Sequence, residues 1–208
     1  MEKAGWSDCG YYKRREYATY DDYLVHQKSK LKDNVFTGEQ EWLDAYEKAL
    51  EFSLTNMTKK LKITGNTVLC LGARRGAEVR AFLNAGNVAI GIDIYPGPDN
   101  AYVLYGDFHK IQFPDSVFDI VFMNCMDHAY NIADLLSEIW RVTKRGGLFM
   151  WYDSSSMAEP GPFESASFLN MEIFDKQASA IGWQHKRDIS PHDNIHTICR
   201  TYRAVGLI

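Results

Sequence analysis

Residues 67–93 read TVLCLGARRGAEVRAFLNAGNVAIGID. The run Val68-Leu69-Cys70-Leu71 is a short apolar strand that breaks at Gly72, and a second glycine follows at Gly76. A helical pattern then begins, with Val79, Phe82 and Leu83 spaced for one buried face. A second apolar run, Val88 to Ile92, ends on a carboxylate, Asp93. Strand, glycine turn, helix, strand and acid form the opening unit of a nucleotide-binding α/β sheet. Glycine lets a ligand approach the backbone closely. The helix N-terminus presents free N–H groups. An acid at the tip of the second strand can accept both hydroxyls of a ribose.

The glycine spacing narrows the nucleotide. A dinucleotide fold wants G-x-G-x-x-G, so that a pyrophosphate sits on bare backbone. Here the register is Gly72-Ala73-Arg74-Arg75-Gly76-Ala77, with Arg74 at the middle glycine and Ala77 at the last. A side chain at Arg74 crowds a pyrophosphate. The stretch instead resembles motif I of the class I S-adenosylmethionine (SAM) methyltransferases, an apolar strand, an acid, then G-x-G-x-G. Two positions depart from that form: Cys70 stands where the acid is expected, and Arg74 where the middle glycine is expected.

Two later stretches carry the resemblance further. Gly106-Asp107-Phe108 and then Ile111-Gln112-Phe113-Pro114-Asp115-Ser116-Val117-Phe118-Asp119 are similar to the family's "gD…lpfpdnsFDvV". Leu135 to Gly147 resembles "l.Ei.RvLkpGG", a helix ending in a glycine turn before the fifth strand. The residues agree physically. Ile132, Leu135, Leu136 and Ile139 make one apolar face. Arg141, Lys144 and Arg145 lie near the helix C-terminus, where its dipole favours cations, and Gly146 suits a left-handed cap. The resemblance spans about residues 61–203. It implies an α/β fold: a Rossmann-like class I methyltransferase sheet, mostly parallel, with an antiparallel terminal hairpin and helices on both faces. It also implies S-adenosyl-L-methionine as cofactor. Gly72, Ala73 and Arg74 would line its methionine end, Asp93 with Ile94 its ribose, and Asp107 with Phe108 its adenine. Asn124 would touch it from the end of the fourth strand.

The rest of the chain is read around this unit. Strands are expected at Ala101–Tyr105, Ile120–Asn124 and Leu148–Tyr152, a helix at about Glu164–Ile181, and closing strands at Trp183–Ile189 and Ile195–Tyr202 with a turn over Ser190–Asn194. The gap between Asp93 and Ala101, with Pro96, Gly97 and Pro98, leaves little room for a crossover helix. Residues 1–60 read as a helical N-terminal extension, a candidate substrate lid, ahead of a SAM-binding domain over 61–208. Its helices are expected at about Asp21–Leu31 and Thr37–Lys59. The second has Trp42, Ala45, Tyr46, Ala49 and Phe52 at helical spacing and a Thr37/Gln40 capping box.

The chain has 208 residues, 46% apolar and 24% charged, with a net charge of -4. That length suits one domain, and the charge argues against a protein that holds nucleic acid by phosphate neutralisation. The N-terminus has no signal-like apolar core, and no apolar run reaches the length of a membrane span. Cys9, Cys70, Cys125 and Cys199 are scattered without C-x-x-C, as in a reduced, cytoplasmic protein.

Methyl transfer requires alignment of acceptor, methyl and sulfur, and a base only when the nucleophile carries a proton. The loop after the fourth strand, Asn124-Cys125-Met126-Asp127-His128, holds the candidates Asp127 and His128. No metal is assigned, since Asp127 and Asp153 alone do not make the converging oxygens a hard cation wants. The expected activity is methylation of a small-molecule acceptor, an oxygen nucleophile such as a sugar or metabolite hydroxyl. Two rivals stand beside it. One is a non-catalytic SAM-binding or partner-binding protein with a degenerate motif I. The other is an NAD(P)-dependent oxidoreductase in which Arg74 and Arg75 hold phosphate. The aromatic-rich N-terminus suits a second subunit, as in a homodimer, as well as a substrate.

Overall fold

The computed structural model describes residues 5–30, 40–97, 99–153, 160–189 and 198–206. In chain order its strands are β1 Trp6–Asp8, β2 Tyr12–Arg15, β3 Thr67–Leu71, β4 Val88–Asp93, β5 Val103–Tyr105, β6 Phe118–Met123, β7 Thr143–Asp153, β8 Ala166–Phe168, β9 Trp183–Ile189 and β10 Ile198–Ala204. Its helices are α1 Tyr20–Ser29, α2 Gln40–Lys60, α3 Ala77–Asn84, α4 Ile132–Val142 and α5 Met171–Ile181, with a 3₁₀ turn at Met126–His128.

Seven strands form the main sheet in the order β5-β4-β3-β6-β7-β10-β9. The pairs from β5 through β7 are parallel, and β10 pairs antiparallel with both β7 and β9. The fold is the mixed, mostly parallel sheet that the sequence implies. The strand residues explain why. In β3, Leu69 and Leu71 join one buried cluster with α4 and α5 residues such as Leu135, Ile139 and Phe174. Val68 and Cys70 join the other, with Leu54, Val79 and Phe82 from α2 and α3. A central strand covered on both faces is apolar without alternation. Helices therefore lie on both faces, and no helix replaces the short 94–102 connection between β4 and β5.

Several local expectations are corrected. The expected helix at Glu164–Ile181 is a strand followed by a shorter helix. Asn170, in an extended conformation, caps α5 by accepting from the N–H groups of Glu172 and Ile173 at 3.0 and 3.1 Å. The residues before it instead pair with β2, Tyr12 opposite Phe168 and Arg14 opposite Ala166. With β1 this makes a three-stranded second sheet, so the N-terminal extension begins as a hairpin and turns helical only afterwards. A capping box of Thr19 and Asp22 starts α1. The expected Thr37/Gln40 box lies outside the described residues, as does the turn over Ser190–Asn194. The buried side of α2 is Leu50, Ser53, Leu54 and Met57, while Tyr46 and Phe52 are exposed. The helical period was read correctly but placed on the wrong face. Gly146 does have a left-handed φ of 81°, yet α4 ends earlier, on extended Thr143. The glycine sits in an irregularity where the β6–β7 register steps from Phe118↔Thr143 to Ile120↔Leu148. No helix among the described residues is long and apolar enough to cross a membrane.

Asp119 clamps the lower ends of three strands. It accepts the Thr67 N–H and hydroxyl at 2.8 and 2.7 Å and the Lys144 ammonium at 2.9 Å. Burial works against the charge, but these donors prevail and hold the carboxyl down to about 2. A depressed carboxyl stabilises the fold above its unfolded pKa of about 4, and that stability fades as pH falls toward the folded value. Urea unfolding of Asp119→Asn beside the wild type should show a wild-type advantage at pH 7 that narrows below about pH 4 and closes near pH 2. An advantage independent of pH would show that the clamp does not rest on the charge.

Candidate functional site

The sheet reverses its winding between β3 and β6, and the loops at the carboxyl ends of β3, β4 and β6 open there into a crevice, the usual ligand position in such sheets. Its floor is Gly72, with φ of 67°. A Cβ at that position would collide with Cys125 Sγ and lie 3.9 Å from the Phe108 ring. Arg74 also occupies the left-handed region, with φ of 39°, a strained conformation for a side-chain-bearing residue. Asp93 holds it there. One carboxylate oxygen accepts the Arg74 N–H at 2.9 Å and the other the Tyr95 N–H at 2.7 Å. The acid at the tip of β4 thus fixes both loops that flank the crevice, and each oxygen keeps a lone pair for a ligand.

Two adjoining clefts result. The larger, about 380 Å³, is lined by Ala73, Arg74, Glu78, Asn124, Asp127 and Glu164 among others. The smaller, about 80 Å³, lies under α1, where Tyr23, Gln27 and Lys30 face Asp93, Ile94 and Phe108. Gly72, Arg74, Cys125, His128 and Lys30 line both. The N-terminal segment is fastened over them. Arg15 donates to the carbonyls of Glu164 and Gly161 at 2.7 and 2.9 Å, Gln27 to the Phe163 carbonyl at 2.9 Å, and Tyr17 bonds Ser165 at 2.7 Å.

Asp127, His128, Glu164 and Lys30 cluster in the larger cleft. One ligand atom from each of the three acid or imidazole residues lies within 4.8 Å of the others. Lys30 Nζ stands 2.7 Å from His128 Nε2, so an ammonium already supplies a positive charge there. The Phe163 carbonyl lies 3.0 Å from His128 Nδ1. A carbonyl only accepts, so Nδ1 carries the proton and Nε2 accepts from Lys30. Burial, then the Lys30 charge, push His128 down to about 3, and it is a neutral imidazole near neutrality. Burial lifts Asp127 to about 6, with Lys30 opposing and Glu164 adding to the rise. Burial and Arg74 lower Lys30 to about 8. Glu164 Oε2 is buried without a hydrogen-bond partner among the described residues.

The structure brings Gly72, Ala73, Arg74, Asp93, Ile94, Phe108, Asn124, Asp127 and His128 to the two clefts. Asp107 lines neither. Its carboxylate accepts from Tyr20 Oη at 2.6 Å and from the His109 N–H at 2.8 Å. His109 in turn accepts the Tyr130 N–H at 3.0 Å, a bracing role. His26 is held between Tyr17 Oη and the Pro162 carbonyl, away from the clefts. Arg75 pairs with Asp44 and Glu47 of α2 at 3.1 and 3.3 Å. Sequence reasoning passed over Lys30, Tyr23, Gln27 and Glu164, whose partners come from other parts of the chain: Lys30 meets His128, Tyr23 meets His109, Gln27 meets Phe163, and Glu164 meets Asp127 and His128. Only the expected helix at Asp21–Leu31 hinted at the first three.

A family model described as "Methyltransferase domain" matches residues 69–151. Squalene methyltransferase 1 of Botryococcus braunii is 33% identical over 87 residues, 40% of this chain and 23% of that protein. Sterol 24-C-methyltransferase of Gibberella zeae is 41% identical over 56 residues, 26% of this chain and 15% of that protein. The chain thus spans less than a quarter of the length of either curated relative. Among solved structures, the 1,6-didemethyltoxoflavin-N1-methyltransferase of Burkholderia thailandensis, with its substrate and S-adenosylhomocysteine bound, superposes with a TM-score of 0.69 at 16% identity, over 98% of this chain and 100% of that one. A Thermotoga maritima SAM-dependent methyltransferase superposes at 0.62 and 14% identity, over 88% and 99%. At those identities the likeness is one of fold.

Gly72→Ala should lower stability by about 2 kcal/mol in urea unfolding, through positive φ and the collision with Cys125. Adding Cys125→Ala should relieve the collision and leave about 1 kcal/mol from the backbone alone. Equal losses in the single and double variants would show that the thiol is not the obstacle.

Proposed function

We propose that the chain is a class I SAM-dependent methyltransferase, which binds S-adenosyl-L-methionine in the Gly72–Asp93 crevice and methylates a small-molecule acceptor in the larger cleft. The residues fit such a ligand. Bare backbone at Gly72 admits it where a Cβ would block the floor, Asp93 stands at the tip of β4, and Phe108 and Ile94 line the apolar half. When bound, that cofactor supplies a methyl group on a sulfonium that already carries its leaving group.

The acceptor is proposed as an oxygen nucleophile, a sugar or metabolite hydroxyl. The observation that carries this is the buried Asp127, raised to about 6, beside Lys30 in the cleft that adjoins Gly72. At neutral pH Asp127 is an anion of raised basicity, able to take a hydroxyl proton. His128, neutral and held by Phe163 and Lys30, is a positioning group in this scheme and not the base. A ring N–H acceptor would lose its proton to the same carboxylate. This second reading is favoured by the 1,6-didemethyltoxoflavin-N1-methyltransferase, whose fold covers 98% of this chain and whose name places the methyl group on N1. Residues 1–60 act as the cover that excludes water from the reaction, with α1 presenting Lys30. The scattered thiols suit a reducing compartment such as the cytoplasm.

Calorimetric titration with S-adenosylhomocysteine tests the cofactor assignment. Saturable one-site binding is expected in the wild type and is lost in Asp93→Ala. A folded wild type that does not bind would sink the methyltransferase reading. Turnover against panels of hydroxylated metabolites and of N-heterocycles then separates the two acceptor classes. With an acceptor in hand, the rate should rise with pH through about 6 as Asp127 loses its proton, and fall through about 8 as Lys30 loses its charge. Asp127→Asn should cost about 100-fold in kcat with cofactor affinity intact. Lys30→Met should abolish the alkaline limb. A flat profile in the wild type would show that neither group takes part.

A further inference from the structure

Cys70 stands where the family's first motif carries an acid, and the fold returns a carboxylate to the same neighbourhood from another element. Glu78, in the first turn of α3, is 6% exposed. Its Oε1 accepts from Asn124 Nδ2, at the end of β6, at 2.9 Å. Its charge, after burial, pushes the Cys70 thiol up. Glu78 lines the larger cleft together with Gly72, Ala73 and Arg74. Among the described residues it makes no ion pair within 4 Å; the one side-chain bond it forms is to the neutral Asn124 amide.

A carboxylate this deeply buried, met only by neutral donors in the Asn124 amide and its own backbone N–H, is costly unless a cation meets it. The groups that face it do not supply one in contact. Arg74, from the β3–α3 loop, favours its charge from a distance, whereas Asp93 at the tip of β4 and Glu47 of α2 oppose it. Tyr46 of α2 faces it as a neutral phenol. Burial leads, and the carboxyl rises to about 7.

We propose that Glu78 receives the ammonium group of the amino-acid end of the cofactor, in place of the strand acid displaced by Cys70. The proposal rests on the SAM-binding reading above and adds to it a second residue, on a helix, that reads the amino acid and not the nucleoside. It carries a proton linkage. In the free protein Glu78 holds about half a proton at pH 7, and capture of an ammonium drives it to the carboxylate and releases that fraction.

Two ligands separate the nucleoside from the amino acid. S-adenosylhomocysteine has both, and 5′-methylthioadenosine keeps the nucleoside and thioether without the amino acid. Titrations of the wild type and Glu78→Gln with each ligand, at pH 7 in buffers of different ionisation enthalpy, should show three things. Glu78→Gln weakens S-adenosylhomocysteine about 10- to 100-fold and leaves 5′-methylthioadenosine unchanged. The wild type releases protons on binding S-adenosylhomocysteine, and binds 5′-methylthioadenosine without release. The variant releases measurably fewer with S-adenosylhomocysteine. The wild-type comparison stands even if the variant does not fold. Equal weakening of both ligands, or equal proton release with both, overturns the role given to Glu78 while leaving the crevice assignment intact. A wild type that binds neither ligand overturns both readings.

Discussion

The structure depends on burial of β3 from both faces. Val68, Leu69, Cys70 and Leu71 are all at most 1% exposed, with alternate side chains packed under α2 and α3 on one side and under α4 and α5 on the other. A strand so enclosed cannot slip by one residue without exchanging its two faces, so the place where it ends is fixed. It ends at Gly72, and each feature of the crevice is measured from there: the left-handed loop, Asp93 on the neighbouring strand, and Asn124 and Cys125 at the end of the strand on the other side. Removing apolar volume from β3 would therefore disturb ligand geometry as well as stability.

That dependence explains what the sequence made legible. Local signals decide an enclosed strand, a glycine turn and an acid at a strand tip. Gly72, Asp93 and α4 could be read because the residues that matter lie within one supersecondary unit. The second sheet could not be read this way. β2 and β8 have four and three residues, and β8 is a strand only through its pairing with β2, about 150 positions away. Residues 164–169 carried a helix-compatible pattern that tertiary pairing overrode, and Asn170 took the cap. The face of α2 was misplaced for a related reason: Tyr46 and Phe52 outweigh Leu50, Leu54 and Met57 in bulk, but the aliphatic row is the one buried with Val68 and Cys70.

The site residues divide along the same line. Those at strand ends were named from the glycine and acid spacing and from the family resemblance. Lys30 and Glu164 were not, because their chemistry arises from being brought against Asp127 and His128 by different parts of the chain. The assignment of Asp127 and His128 as a pair also changes in three dimensions. Adjacent in sequence, they have opposite electrostatics: the acid is lifted toward neutrality while the imidazole is kept from charging. Glu78 is a further instance. In sequence it is an ordinary first-turn helix acid, suited to the dipole. Only its burial beside Cys70 and Asn124 sets it apart.

The fastening of the N-terminal segment has a consequence for how the molecule is assembled. Arg15 reaches Glu164 and Gly161, and Tyr17 reaches Ser165, across 146 to 149 residues. The successive parallel strands at the centre are linked by connections of 9 to 19 residues. Closing the longer loops costs more chain entropy. The central sheet can thus form during folding before its roof, and Lys30 reaches His128 only when the first and last thirds of the chain have met. The crevice floor at Gly72 and Asp93 is mostly a property of the sheet, while the meeting of Lys30 with His128 is a property of the finished chain.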